Sequence, residues 1–206
     1  MTPRLALTLL LPLAACAANP NPTLPDDPAA PDPPEASGDT LYGADLPATK
    51  EIETSTEGEP VTLAARLVRE TDFKIPFATY APEGVEYRRR DDGTAVFSTG
   101  GNPDFQATLT VAVVHDPSRF LDLEAYARGL LSAEERVEPY ESREPWVEAA
   151  FTFFSGDEMG SLRIGRRGEH VVYALDALPP EMGDGWATLS QALLSEWLWL
   201  DTGRGL

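Results

Sequence analysis

Apolar and polar residues alternate along several stretches of the chain, a pattern typical of β-strands with one buried face. Every second residue is apolar in residues 105–113 and 147–153, and the same alternation passes through Leu162 and Ile164. Residues 171–175 are apolar or aromatic at every position, as in a central strand covered on both faces. Shorter strands are predicted at residues 77–81, 85–90 and 94–98. Asp91-Asp92-Gly93, Gly156 and Gly168 are predicted to form hairpin turns, because glycine accepts a positive φ.

Two helices are predicted from apolar residues that recur at spacings of three and four. The first begins after Asp122, a residue type that caps helix N-termini, and it contains Gly129, which costs about 1 kcal/mol relative to alanine. The second covers residues 186–200, in which one stripe is formed by Trp186, Leu189, Leu193, Trp197 and Leu200.

The order of these elements predicts an α+β fold, with a mostly antiparallel sheet flanked by helices rather than alternating βαβ units. We assign residues 61–206 to a single globular domain, a length that can bury one good core. Residues 50–60 are mostly Glu, Thr and Ser, and we interpret them as a loop.

The first fifteen residues have the parts of a secretory signal peptide. Arg4 precedes an apolar run that ends in small residues, and the run is shorter than the roughly 20 residues that cross a bilayer. Leu13-Ala14-Ala15-Cys16 then resembles the lipobox of bacterial lipoproteins. The resemblance implies that cleavage makes Cys16 the first residue of the mature chain, and that Cys16 carries two or three fatty chains such as palmitate. Ala17, where an inner-membrane retention signal has Asp, favours the outer membrane.

Residues 16–60 are interpreted as the lipidated cysteine followed by a Pro-rich, acidic, disordered tether. Residues 17–40 contain seven prolines and five acids, and they have no Lys, Arg or aromatic residue. Such a segment buries too little apolar surface to offset the entropy of ordering it. It is expected to be extended and to hold the domain away from the lipid surface.

The whole chain has 34 acidic and 16 basic residues, a formal charge of -18. This balance excludes a typical nucleic-acid binder, since no excess of cations is present to neutralise phosphates. It also excludes attachment to anionic lipids by charge alone. The lipid is therefore the expected means of membrane attachment. The single cysteine excludes an intramolecular disulfide and a thiolate metal cluster.

No motif in the sequence indicates catalysis or a cofactor. The two histidines, His115 and His170, lack the spacing of a zinc site, and HExxH and CxxC are absent. Ser155-Gly156 lacks the context of a nucleophile elbow. The segment Gly165-Arg-Arg-Gly168 has no trailing lysine and no following helix, so it is not a phosphate loop. We therefore expect no catalytic residue, no metal and no cofactor.

Arginine residues cluster at two places in this otherwise acidic chain. Two triplets lie on predicted strands, one formed by Arg88, Arg89 and Arg90, the other by Arg163, Arg166 and Arg167. If the two strands are neighbours, they form a basic patch for a partner or an anion, because guanidinium groups bind carboxylate and phosphate bidentately. The alternative is that each arginine pairs with a nearby glutamate at a strand end.

The order of motifs also resembles that of PsbP-like proteins. Phe77-Ala-Thr-Tyr-Ala-Pro-Glu-Gly-Val85 is similar to an early strand and turn of that family, and Leu123-Glu124-Ala125-Tyr126 to its helix. Pro179-Pro180 followed by a helix through Ser195-Glu196-Trp197 is similar to its C-terminal part. The resemblance covers about residues 73–200. It implies an α/β/α sandwich that mostly serves as a non-catalytic binding or assembly module.

These observations together predict a lipid-anchored, extracytoplasmic binding or assembly protein of the cell envelope, without enzymatic activity. It is expected to face the periplasm from the outer membrane if the host has two membranes, to bind an envelope protein, and not to bind nucleic acid. Two alternatives stay open. One is a cell-envelope hydrolase that uses carboxylates. The other is a carrier of a small anionic or apolar ligand in a cleft between sheet and helix.

Overall fold

The structure is a computed structural model that describes residues 42, 45–56, 58–100, 106–115, 122–131, 133 and 136–206. The predicted signal peptide, Cys16, the segment 17–40 and the start of the predicted strand at Phe105 lie outside the described residues. No helix within the described part of the chain has the length and apolar character needed to cross a membrane.

The described strands form two antiparallel sheets. The small sheet has the order β1-β2-β3-β11-β12 and is built from β1 (Thr49–Thr56), β2 (Glu59–Glu70), β3 (Phe77–Pro82), β11 (Leu198–Trp199) and β12 (Arg204–Gly205). The large sheet has the order β4-β5-β6-β10-β9-β8-β7. Its strands are β4 (Val85–Arg89), β5 (Ala95–Thr99), β6 (Thr108–Val114), β7 (Arg136–Pro139), β8 (Ala149–Ser155), β9 (Glu158–Arg167) and β10 (His170–Leu178).

Two α-helices accompany the sheets among the described residues. Helix α1 (Leu123–Leu130) begins at the predicted cap, because the Asp122 carboxylate accepts a hydrogen bond from the Ala125 backbone N–H at 2.9 Å. Helix α2 (Gly183–Ser195) follows a 3₁₀ turn at Pro180–Met182. It ends before the predicted residue 200, because Leu198 and Trp199 form β11 against β3.

The predicted α/β/α sandwich is wrong, and the fold is β-rich. The main hydrophobic core takes residues from both sheets, including Phe77 of β3, Phe97 of β5 and Val172 of β10. Trp186 and Leu193 of α2 join this core. The inner face of the large sheet is therefore covered by a second sheet together with one helix, not by a helical layer. The sequence pattern identified individual strands, but it carried no signal that they divide into two sheets.

The interpretation of residues 50–60 as a loop is also wrong. Strand β1 pairs with β2 over its full length, from Thr49 opposite Arg66 to Thr56 opposite Glu59. The sheet thus extends ahead of residue 61, where the domain was predicted to begin. Exposed residues alternate with more buried ones along β1, but Ile52 is its only apolar residue, so its sequence lacks the apolar–polar alternation on which the prediction relied. By contrast, the predicted turn glycines Gly93, Gly156 and Gly168 all have positive φ.

The outer face of the large sheet carries a second core. Leu162 and Ile164 of β9 and Phe151 of β8 pack there with Leu123 and Ala127 of α1. Because side chains alternate along a strand, Ser161 and Arg163 point to the opposite, inner face. This alternation decides where the predicted arginines of β9 lie.

Candidate functional site

The two arginine triplets lie on strands that are not neighbours. Residues 88–90 lie on β4 and directly after it, whereas Arg163, Arg166 and Arg167 lie on β9. Strands β5, β6 and β10 separate β4 from β9 in the large sheet. The six arginines therefore do not form a continuous patch, and each group has its own surroundings.

The arginines of β4 occupy the edge strand of the large sheet and are exposed. Arg89 Nη1 lies 3.6 Å from Glu70 Oε1, and the Tyr87 hydroxyl donates a hydrogen bond to Glu70 Oε2 at 2.9 Å. Burial and this hydrogen bond raise the pKa of Tyr87 far above its usual value. Arg88 and Arg90 are exposed as well, and Arg88 points to the face of the strand opposite to Tyr87 and Arg89.

Arg163 is an interior residue rather than part of a surface patch. Its side chain is 8% exposed, and it forms an ion pair with Asp176, whose side chain is equally buried. Arg163 Nη1 also donates to Glu144 Oε1 at 2.9 Å, and Trp186 Nε1 donates to Asp176 Oδ1 at 3.1 Å. Burial raises the pKa of Asp176, and the adjacent Arg163 and the hydrogen bonds from Ser190 and Trp186 oppose that rise.

Arg166 and Arg167 line an open cleft of about 480 Å³ at the turn between β9 and β10. Six of its lining residues combine positive or titratable groups with indole rings, and we call it the arginine–tryptophan cleft. They are Trp146, Arg166, Arg167, His170, Trp199 and Arg204.

Two hairpins bring these residues together. The β9–β10 hairpin turns at Gly168, which has a φ of 57°, and this places Arg167 opposite His170. The β11–β12 hairpin turns at Gly203, which has a φ of 66°. Its register sets Arg204 opposite Trp199. The cleft therefore lies where the end of the large sheet meets the end of the small sheet.

Trp199 forms the aromatic floor of the cleft. It is 1% exposed, and the guanidinium carbon of Arg167 lies 4.8 Å from its ring centroid. Arg167 Nη2 also donates to Asp201 Oδ1 at 2.6 Å and to Thr202 Oγ1 at 3.0 Å. These contacts hold the Arg167 guanidinium within cation–π distance of the indole ring.

Trp146 reaches the cleft because residue 165 is glycine. A Cβ atom at Gly165 would lie 1.9 Å from the Trp146 carbonyl oxygen and 3.3 Å from its ring. Any side chain there would push the segment before β8 away from β9. The glycine therefore positions Trp146 rather than forming a turn.

The arginines of the cleft differ in whether they form ion pairs. Arg166 forms an ion pair with Glu148, and Arg167 with Asp201. Arg204 is exposed and forms no ion pair within the described part of the chain. Its guanidinium thus keeps its donors available to a ligand.

A pair of histidines extends the cleft on the side of the large sheet. The rings of His115 and His170 lie 5.0 Å apart between centroids. Burial lowers the pKa of His170 below 6.5, and the nearby His115, Lys74 and Arg167 lower it further against the opposing effect of Glu169. His170 is therefore mainly neutral at pH 7, while its neighbourhood is positive.

Sequence reasoning missed the two tryptophans and Arg204 of the cleft. The predicted terminal helix includes Trp199, whereas the structure places Trp199 in β11 paired with β3. A turn signal at Thr202-Gly203 could have indicated the β11–β12 hairpin. No local signal could have placed Trp146 against β9.

Among the residues that the structure describes, no group of three or more His, Cys, Asp or Glu side chains is placed to hold a metal ion. His115 and His170 therefore lie close together, but no third side chain of these types in the described part of the chain completes a metal site with them.

Among solved structures, the chain is similar to the solution structure of cyanobacterial PsbP (CyanoP) from Synechocystis sp. PCC 6803. The two sequences are 14% identical, and the match has a TM-score of 0.42 over 65% of this chain and 92% of that chain. A score this low carries no argument about the fold or the function of this chain. No protein-family model and no curated protein matches the sequence.

Proposed function

We propose that this protein is a lipid-anchored, extracytoplasmic binding or assembly protein of the cell envelope, and that its arginine–tryptophan cleft binds an acidic segment of a partner protein. The observation that carries the proposal is the presence of exposed guanidinium groups around an indole floor on a chain with a formal charge of -18. A cationic site on such a background attracts anionic groups that the remaining surface repels.

The chemistry of the cleft fits a peptide carboxylate beside an apolar side chain. Arg204 offers a bidentate donor pair for the carboxylate, and the half-buried Trp146 offers apolar surface beside it. Tryptophan and arginine are also the residue types that contribute most to protein interfaces.

A binding role accounts for the described carboxylates better than the alternative hydrolase does. Asp176, which lines the pocket between the large sheet and α2, is paired with Arg163, and Asp201 of the arginine–tryptophan cleft is paired with Arg167. A glycosidase needs one free carboxylate and one protonated acid facing the substrate. We therefore propose a non-catalytic protein.

The anchoring part of the proposal depends on Leu13-Ala14-Ala15-Cys16 and on the apolar run before it. Two or more fatty chains hold a protein stably on a membrane, at about 0.8 kcal/mol for each buried methylene. This location exposes the cleft to other envelope proteins, facing the periplasm if the host has an outer membrane.

The test compares two charge reversals that change the net charge equally. Arg204→Glu alters the cleft, whereas Arg88→Glu alters the exposed edge strand β4. Each variant and the wild type are expressed at equal level in the native host, crosslinked in intact cells and analysed by mass spectrometry. We expect Arg204→Glu to reduce the yield of the main crosslinked partner by about fivefold or more, as the loss of a charged contact implies. Arg88→Glu should leave it unchanged.

Equal crosslink yields in wild type and Arg204→Glu would contradict binding of the partner at the arginine–tryptophan cleft. Equal losses in both variants would show that net charge, rather than the cleft, governs the association.

A further inference from the structure

Two histidines face each other at one end of the large sheet. Strands β6 and β10 are antiparallel and Val114 lies opposite Val171, so the next residues, His115 and His170, continue the same register. Their ring centroids are 5.0 Å apart. His170 is also one of the residues that line the arginine–tryptophan cleft. The histidine pair therefore places a titratable group in the wall of the proposed anion site.

Burial and nearby cations both disfavour the charged form of His170. Arg167 lies directly opposite it in the β9–β10 hairpin. Lys74 approaches from the segment that joins β2 to β3, and Glu169 in the hairpin turn has the opposing effect. Burial is the largest cause of the lowered pKa of His170, and the adjacent His115 adds to it. The imidazole therefore becomes charged only when the pH falls below the usual range for histidine.

The arginines of the cleft are only partly available to an anion. Arg166 and Arg167 already form ion pairs with Glu148 and Asp201, whereas Arg204 forms none within the described ranges. A protonated His170 adds a positive charge to the same wall. The carboxylates of an acidic segment stay ionised down to about pH 4.5, because aspartate and glutamate titrate near pH 4. In mildly acidic surroundings, the cleft and its ligand thus carry more strongly opposed charges.

A bound anion and a proton on His170 favour each other. A carboxylate in the cleft stabilises the charged imidazole and so raises the pKa of His170. By linkage, protonation of His170 raises the affinity for the carboxylate by the same factor. The effect needs no movement of the backbone, because strand pairing already holds Arg167 and His170 opposite each other.

We propose that His170, together with His115, makes the arginine–tryptophan cleft a pH-dependent anion site, which holds an acidic segment more tightly in mildly acidic surroundings than at neutral pH. The inference rests on the proposed function, because it assigns a form of regulation to the same cleft. His170 carries the added charge. His115 moves the appearance of that charge to lower pH, since a second imidazole at this distance disfavours protonation of the first.

The first experiment measures anion binding by the full mature chain, purified in an uncharged detergent. The probe is acetyl-hexa-aspartate amide, whose carboxylates are ionised at both pH 5.5 and pH 7.5. Isothermal titration calorimetry at constant ionic strength gives its Kd at each pH. We expect the Kd of the wild type to be at least about fivefold lower at pH 5.5, at the lower end of the usual coupling between two sites. In His170→Gln, the Kd should no longer differ between the two pH values.

The second experiment follows the imidazoles directly by NMR. The chain contains two histidines, so His115→Gln and His170→Gln each leave one imidazole signal and assign it. Hexa-aspartate should raise the pKa of His170 in the wild type. His115→Gln should raise it in the absence of the peptide, because the neighbouring imidazole that opposes protonation is removed.

Two charge reversals locate the probe on the protein. Arg204→Glu should weaken binding of hexa-aspartate at both pH values. Arg88→Glu, on the exposed edge strand β4, should leave both affinities and their ratio unchanged. Thermal unfolding at each pH confirms that every variant is folded.

The outcomes separate this inference from the proposed function. Equal Kd values at the two pH values in the wild type would overturn the pH response and leave the acidic-partner site intact. A pH dependence that persists in His170→Gln, or a pKa of His170 that hexa-aspartate does not change, would also overturn it. The absence of binding at both pH values would contradict both proposals.

Discussion

At the scale of single residues, Arg163 and Asp176 place two opposite charges on the inner face of the large sheet, beside the apolar core. Each side chain is 8% exposed, so their interaction is little screened by water. A buried pair of this kind adds little net stability compared with apolar residues, but removing one partner leaves an uncompensated charge. Arg163 therefore favours the ionised form of Asp176 and opposes the rise in its pKa that burial causes.

We predict that Arg163→Met lowers the free energy of unfolding by about 3–5 kcal/mol at pH 7. The double variant Arg163→Met with Asp176→Leu should recover most of this loss, because it removes the unpaired charge. Urea unfolding of the wild type, both single variants and the double variant gives the coupling energy. Additive losses in the double variant would contradict the argument.

The pKa of Asp176 sets the direction in which the free energy of unfolding of Arg163→Met changes with pH. Burial already raises the pKa of Asp176, and loss of the guanidinium raises it further. The folded variant then binds a proton more tightly than the unfolded chain, whose pKa is near 3.8. Its destabilisation should be complete above the folded pKa and should diminish as the pH falls toward 3.8.

At the scale of elements, two glycines in regular structure have opposite roles. Gly129 lies in α1, and a Cβ atom there would meet nothing within 4 Å. Gly165 lies in β9, where a Cβ atom would overlap the Trp146 carbonyl oxygen. Neither role follows from residue type, because glycine lowers helix propensity and strand propensity alike.

We predict that Gly129→Ala stabilises the protein by about 0.5–1 kcal/mol, since alanine loses less entropy on folding and finds open space. Gly165→Ala should destabilise it by about 1–3 kcal/mol, because the backbone before β8 has to move. Chemical unfolding of both variants measures whether each substitution raises or lowers the free energy of unfolding. A stabilising Gly165→Ala would show that Trp146 is not held by this close approach.

At the scale of the whole molecule, the proposed lipid and the net charge oppose each other at a membrane surface. Removal of residues 1–15 would delete Arg4 and leave the mature chain with a formal charge of -19. Electrostatic repulsion from anionic lipids would then release any chain that lacks the fatty groups.

We predict that Cys16→Ser moves the protein from the membrane fraction to the soluble or unprocessed fraction and removes the lipid mass. Fractionation with intact-mass measurement checks this, and Ala17→Ser provides a control with an adjacent serine and an intact cysteine. An unchanged mass and an unchanged membrane fraction in Cys16→Ser would contradict the lipid anchor.

Local structure is predicted well where a short segment of the chain determines it. The Asp122 cap and the turns at Gly93, Gly156 and Gly168 depend on residues within three or four positions of each other, and all are present in the structure. Strand β1 was missed because its support comes from pairing with β2 and not from an apolar face of its own. The helix prediction failed beyond Ser195 for a related reason, since β11 is defined by its hydrogen bonds to β3.

The amino-acid sequence alone determined the acidic charge, the lipobox-like segment, the main turns and most strand positions, because these depend on residue type and short-range geometry. Tertiary structure decided that the strands form two sheets, that β4 and β9 lie apart, and that Arg163 is buried while Arg166 and Arg167 line a cleft with Arg204. The physical reason is that strand order and facing depend on contacts between residues far apart in the chain. An arginine in a strand forms an interior ion pair when another element packs over it, and it stays available to a ligand when none does.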